Sequence, residues 1–144
     1  MAETEESEPS TPTTRRRKPY GLLHVHCVDV LLDRGCLRTA AAVRLQLGYG
    51  AQRQSCAGAL ERDDDGSGRA YLHRQAAAFE VKASRHAPRQ LTVAVAGDEG
   101  HPEAVGTLDV TRLLESESHF LDERIVLEPR GATARVACAF DVLE

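Results

Sequence analysis

Gly21-Leu22-Leu23-His24-Val25-His26-Cys27-Val28-Asp29-Val30 alternates: on an extended backbone Leu23, Val25 and Cys27 fall on one face, and His24 and His26 on the other. A period of two marks a half-buried strand. Outward from this stretch the same period returns in Val43, Leu45 and Leu47, in Phe79 and Val81, and in Leu91, Val93 and Val95. It returns again in Ile125 and Leu127, then in Ala134, Val136, Cys138 and Phe140. Turn formers stand between these runs: Gly48 and Gly50, Gly66 and Gly68, Gly97 and Gly100, and Pro129 before Gly131. Several short strands punctuated in this way predict an all-β sandwich or barrel. A minor helix is expected within residues 110–120 around Leu113 and Leu114, and the alanine-rich residues 74–78 also have helical character. Neither has an apolar stripe long enough for a helical layer.

The 144 residues fit one domain, and 42% hydrophobic and 28% charged side chains are ordinary for a globular chain. Only 4% are aromatic and none is Trp. Leu, Val and Ala must therefore fill the core, and a platform for stacking single-stranded nucleic acid is not expected. The formal net charge of −4 is uneven, because residues 90–144 carry 4 basic against 11 acidic side chains. That field opposes phosphate contact and argues against nucleic acid as a partner. No apolar run approaches the ~20 residues of a membrane-spanning helix. Cys27, Cys36, Cys56 and Cys138 form no Cys-x-x-Cys pair and follow no secretory leader, so reduced intracellular thiols are expected, with Cys27 and Cys138 as small buried hydrophobes.

Residues 1–19 combine Glu3, Glu5, Glu6 and Glu8 with Ser, Thr and Pro and offer no core side chains, which predicts a disordered tail. The tail ends in the basic cluster Arg15, Arg16, Arg17 and Lys18, suited to anionic lipid or to solvent. A single domain spanning residues 20–144 follows it.

The strand order resembles the C2 domain family. Residues 21–30 look like its opening strand, and Val43-Arg44-Leu45-Gln46-Leu47-Gly48 like its second. Phe79-Glu80-Val81 is similar to the end of its fourth strand, and Leu91-Thr92-Val93-Ala94-Val95 to its fifth. The aliphatic-glycine pair in Val105-Gly106-Thr107-Leu108-Asp109-Val110 resembles the start of its sixth, followed by Leu113-Leu114; Leu127-Glu128-Pro129 and residues 132–140 complete the pattern. The resemblance covers residues 21–144 and implies an antiparallel, eight-stranded, Greek-key β-sandwich. Each element alone is common to β-sandwiches, and the order carries the likeness.

Departures from the family pattern bear on function. Calcium-binding members cluster aspartates on the loops after the first and fifth strands, because a hard divalent cation needs several carboxylate oxygens. Here Ala40-Ala41-Ala42 stands in place of the Asp-Pro-Tyr triplet and Gly97-Asp98-Glu99 in place of Asp-x-Asp. Asp33, Asp98 and Glu99 are vestiges of those loops, and no metal site is expected. In the family the third and fourth strands can hold phosphoinositide headgroups with basic side chains, which makes Arg44, Arg53, Arg74 and Lys82 the candidate lipid-phosphate residues beside the Arg15–Lys18 cluster.

Other motifs have plainer readings. Asp63-Asp64-Asp65-Gly66 resembles the start of an EF-hand loop, but Leu72 occupies the position of the bidentate acid, so an acidic hairpin loop is expected. Cys27 points away from His24 and His26, which breaks up a zinc set. No Gly-x-Ser-x-Gly elbow is present and no serine sits at a recognisable catalytic site. The expected protein is non-enzymatic, needs no cofactor and no calcium, and acts in the cytoplasm as a peripheral membrane or cytoskeletal adaptor. It docks to protein partners, to anionic phospholipid membranes, or to both. The alternatives are a structural component of a cytoskeletal or ciliary assembly and a degenerate calcium-dependent lipid-binding domain.

Overall fold

A computed structural model describes residues 21–37, 40–82, 87–98, 101–115, 120–129 and 131–142. The expected tail, its basic cluster Arg15, Arg16, Arg17 and Lys18, and Glu99 lie outside the described residues. The elements run β1 (Gly21–Leu32), β2 (Ala42–Tyr49), β3 (Gln52–Ala59), β4 (Glu61–Arg62), β5 (Gly68–Val81), β6 (Gln90–Ala96), β7 (Pro102–Asp109), α1 (Thr111–Glu115), β8 (Phe120–Pro129) and β9 (Ala132–Val142). Eight are full strands; β4 is a two-residue segment that closes a hairpin onto β5.

All pairings are antiparallel. One layer has the order β8-β9-β1-β5 and the other β3-β2-β6-β7, and β7 joins them by pairing briefly with β8 at Ala104–Pro129 and Val105–Glu128. β1 lies between β5 and β9, and β2 pairs with β6, so sheet neighbours are distant in sequence, as a Greek-key sandwich requires. The sequence resemblance and the all-β fold class agree with this architecture.

The core forms where the alternating faces of the two layers meet. Leu23, Val25, Cys27, Val43, Leu45, Leu47, Phe79, Val81, Leu91, Val93, Val95, Ile125, Leu127, Ala134, Val136, Cys138 and Phe140, all placed on inward faces by their period of two, are buried. Each fully buried Leu, Val or Phe contributes roughly 1.5–3 kcal/mol of transfer free energy. Tyr49 and Phe79 meet at 6.0 Å between ring centroids, a tilted aromatic pair under one edge of the sandwich.

The two stretches with helical character differ in outcome. The minor helix expected within residues 110–120 is described over Thr111–Glu115, started where Asp109 Oδ1 accepts from the Thr111 N–H at 2.8 Å, and its Leu113 and Leu114 plug the core. Residues 75–78 pair with β1, which overrides the alanine propensity; a bulge precedes them, with His73 and Arg74 both at φ 52°.

The seam between β3 and β5 is closed by side chains. Gln52 exchanges two hydrogen bonds with the Glu80 main chain, Gln75 exchanges two with Ala57, and Gln54 donates to the Ala78 carbonyl. Gly58 permits the approach, since a Cβ there would stand 2.7 Å from the Tyr71 carbonyl oxygen.

Candidate functional site

Two regions carry the sequence-predicted residues, and a third gathers residues the sequence did not single out. At one end of the sandwich, where β1, β4, β6 and β8 finish, the acids act as caps for the main chain. The Asp98 carboxylate accepts from the Ala41 and Ala42 amides, each at 3.2 Å. Glu103 Oε1 accepts from the Leu37 N–H at 3.1 Å, and Arg62 donates to the Leu37 carbonyl. Asp33 faces Gly131, whose carbonyl accepts its N–H at 2.9 Å. Among the described residues no three His, Cys, Asp or Glu side chains gather as a metal site. Asp63 to Ser67 is an acidic hairpin turn: Asp63 N–H donates to Ser67 O, and Ser67 in turn donates to Asp65 Oδ1, which holds the Asp65 carboxyl below its usual range.

The basic candidates divide between surfaces. Arg44 and Arg53 share the outer face of β2 and β3, around an open hollow of about 350 Å³ with Gln46 and Ser55. Arg53 Nη1 is already engaged with the Gly50 and Gln52 carbonyls at 2.7 and 2.8 Å. Arg74 stands on the other layer, in the β5 bulge, where its charge helps lower the Asp122 pKa. Lys82 follows β5 and pairs with Glu80 at 3.4 Å. Two of the four therefore share a surface, and the other two are elsewhere.

The third region is the outer face of β8-β9-β1-β5. Leu31 (42% exposed), Tyr71 (51%), Phe120 (62%) and Val126 (65%) all lie on it. Register sets Leu31, Thr133 and Val126 side by side on β1, β9 and β8, with Tyr71 on the diagonal from Leu31. Between this cluster and Phe120 lie two ion pairs. Arg124 Nη2 is 2.9 Å from Asp29 Oδ1 across β9, and Arg135 holds Asp122 by two bonds of 2.9 Å. The bidentate bond from Arg135, aided by its charge, keeps the Asp122 carboxyl below the usual carboxylate range. Farther along, His24 Nε2 is 2.9 Å from Asp141 Oδ2, and Cys27 is buried beneath, facing away from both histidines.

Sequence reasoning passed over these apolar residues, although a signal was present. Three of them stand beside a buried apolar neighbour, in Leu31-Leu32, Tyr71-Leu72 and Ile125-Val126-Leu127, where alternation breaks and a strand becomes apolar on both faces.

No protein-family model matches the sequence, and no curated protein matches it. Among solved structures, a C2 domain-containing protein from a putative elicitor-responsive gene superposes with TM-score 0.65 at 16% identity, over 92% of this chain and 96% of that one. The C2A domain of plant Extended Synaptotagmin 1 superposes with TM-score 0.59 at 15% identity, over 89% and 99%. The calcium-bound C2A and C2B domains of Extended-Synaptotagmin 2 give TM-score 0.62 at 15% identity; the match covers 88% of this chain and 44% of that one. Strand order, inter-sheet connectivity and these superpositions together establish that the chain has the C2 fold.

Proposed function

We propose that this C2-fold module is a non-enzymatic, calcium-independent adaptor that docks a protein partner on the outer face of β8-β9-β1-β5. The observation that carries this reading is the placement of Leu31, Tyr71, Phe120 and Val126 on one face, around the Asp29–Arg124 and Asp122–Arg135 pairs. Aromatic and aliphatic anchors around paired charges are the usual make-up of a protein interface. An anionic membrane instead draws on unpaired cations, each contributing about 1 kcal/mol, and on this face Arg124 and Arg135 are neutralised by acids. Calcium independence is supported by Asp98 and Glu103, whose oxygens accept from main-chain amides.

A second reading, contact with anionic phospholipid through Arg44 and Arg53, is favoured by the hollow they share. The two readings separate in one experiment on the full chain, with partner capture and liposome co-sedimentation run in chelator and in calcium. The first expects Tyr71→Ser/Val126→Ser to lose a protein that wild type and Arg44→Ala/Arg53→Ala both retain. Sedimentation with phosphoinositide liposomes that only Arg44→Ala/Arg53→Ala abolishes would replace it with the second.

A further inference from the structure

A pair of thiols meets between the two layers. Cys27 of β1 and Cys56 of β3 are buried, and their Sγ atoms stand 2.6 Å apart, against about 2.05 Å in a disulfide bond. Cys56 is the buried residue of a strand whose other side chains are exposed or half-buried. The backbone on either side of the pair is clamped: Gln75, the register partner of Cys27, exchanges two hydrogen bonds with Ala57, the neighbour of Cys56, and its carbonyl faces Cys56 Sγ at 3.7 Å. The glutamine seam thus fixes both thiols at bonding approach.

We propose that Cys27 and Cys56 are a modification site, at which hydrogen peroxide converts the two thiols into a disulfide that staples one layer of the sandwich to the other. Cys56 attacks first. It lies on the edge strand β3, and the contact between the two thiols holds its pKa down, whereas Cys27 is raised by that same contact and by burial, and Cys138 is pushed by burial up to about 12. The Cys56 thiolate takes one oxygen of the peroxide, the O–O bond breaks, and hydroxide leaves to be protonated to water. With Cys56 now a sulfenic acid, Cys27 no longer donates to a thiolate; it gives up its proton and attacks the Cys56 sulfur. The S–O bond breaks and the second oxygen leaves as water. Two thiols are oxidised by two electrons in all, and one peroxide is reduced to two waters. The reagent enters at β3, which is an edge strand of its layer held to β5 by side chains and so opens more readily than the paired interior.

The test treats the full chain with hydrogen peroxide, then denatures it, alkylates the remaining thiols and digests it without reductant for mass spectrometry. The expected result is two alkylated cysteines in place of four, a cross-linked pair of peptides containing Cys27 and Cys56, and recovery of four on reduction. The melting temperature of the oxidised protein should rise by about 5 °C or more, the scale of a bond that restrains the unfolded chain. Cys56→Ser should show neither the cross-link nor the rise. Four alkylated thiols after treatment, a Cys27–Cys138 link, or oxidation of Cys56 to sulfinic acid without a cross-link would each overturn the proposal. The wild-type peptide map decides even if the variant folds poorly.

Discussion

Gly106 of β7 faces the main chain of β8, and a Cβ built on it would stand 2.5 Å from the Val126 carbonyl oxygen and 2.8 Å from Leu127 Cδ2. The strand joining the two layers therefore lies on its neighbour with no room for a methyl group. Gly106→Ala should force β7 and β8 apart and destabilise the domain by about 1–3 kcal/mol. The adjacent Val105 points outward and is 44% exposed, so Val105→Ala should stay within about 0.5 kcal/mol of wild type. Urea unfolding of the two variants checks the pair; equal losses would show that the approach at Gly106 carries no constraint.

The loop end makes a separate prediction. Because the Asp98 carboxylate accepts from two amides that open β2, Asp98→Ala should cost about 1 kcal/mol and lower the melting temperature by about 3–5 °C. Millimolar calcium should leave the wild-type melting temperature unchanged, since any ligand that binds only the folded state must raise it. A rise with calcium that magnesium does not reproduce would show that these oxygens still gather around an ion.

The Asp122–Arg135 pair predicts a dependence on pH. Its folded pKa lies below that of the unfolded chain, so the pair contributes stability above the unfolded value of about 3.9 and loses it as pH falls through the folded one. In Arg135→Gln the Asp122 carboxyl should titrate at higher pH, part of the shift remaining through Arg74 and Arg124. Carbon-13 NMR titration of the side-chain carboxyl follows this directly, and an unmoved midpoint would show that Arg135 does not hold the group.

How much of this was legible in the sequence depended on burial. Strands with a period of two, such as Leu23-Val25-Cys27 and Leu91-Val93-Val95, could be read directly because one face is wholly inside. β3 was faint: only Cys56 is buried along Gln52–Ala59, and its glutamines serve the neighbouring edge instead of the core. Asp33 and Asp98 stood out from their place on the loops after β1 and β6, but the capping of main-chain amides by Asp98 did not, since those bonds join residues 56 and 57 apart in sequence. The basic set Arg44, Arg53, Arg74 and Lys82 looked contiguous along the chain; β5 belongs to the opposite layer from β2 and β3, which separates Arg74 from Arg44 and Arg53. The exposed apolar face was hidden because register across β5, β1, β9 and β8 brings together residues as distant as Leu31 and Val126.

The most direct measurement is site-specific photo-crosslinking of the full chain in cells, with a benzophenone amino acid placed at Tyr71 on the proposed face or at Gln46 on the outer face of the other layer. Both positions lie in paired strands, so the probe reports contact without disturbing the core. The account predicts a protein adduct from position 71 that persists in calcium chelator and is lost when Val126 and Leu31 are changed to Ser, with no matching adduct from position 46. Adducts from position 46 alone, or an adduct at position 71 that requires calcium, would contradict it.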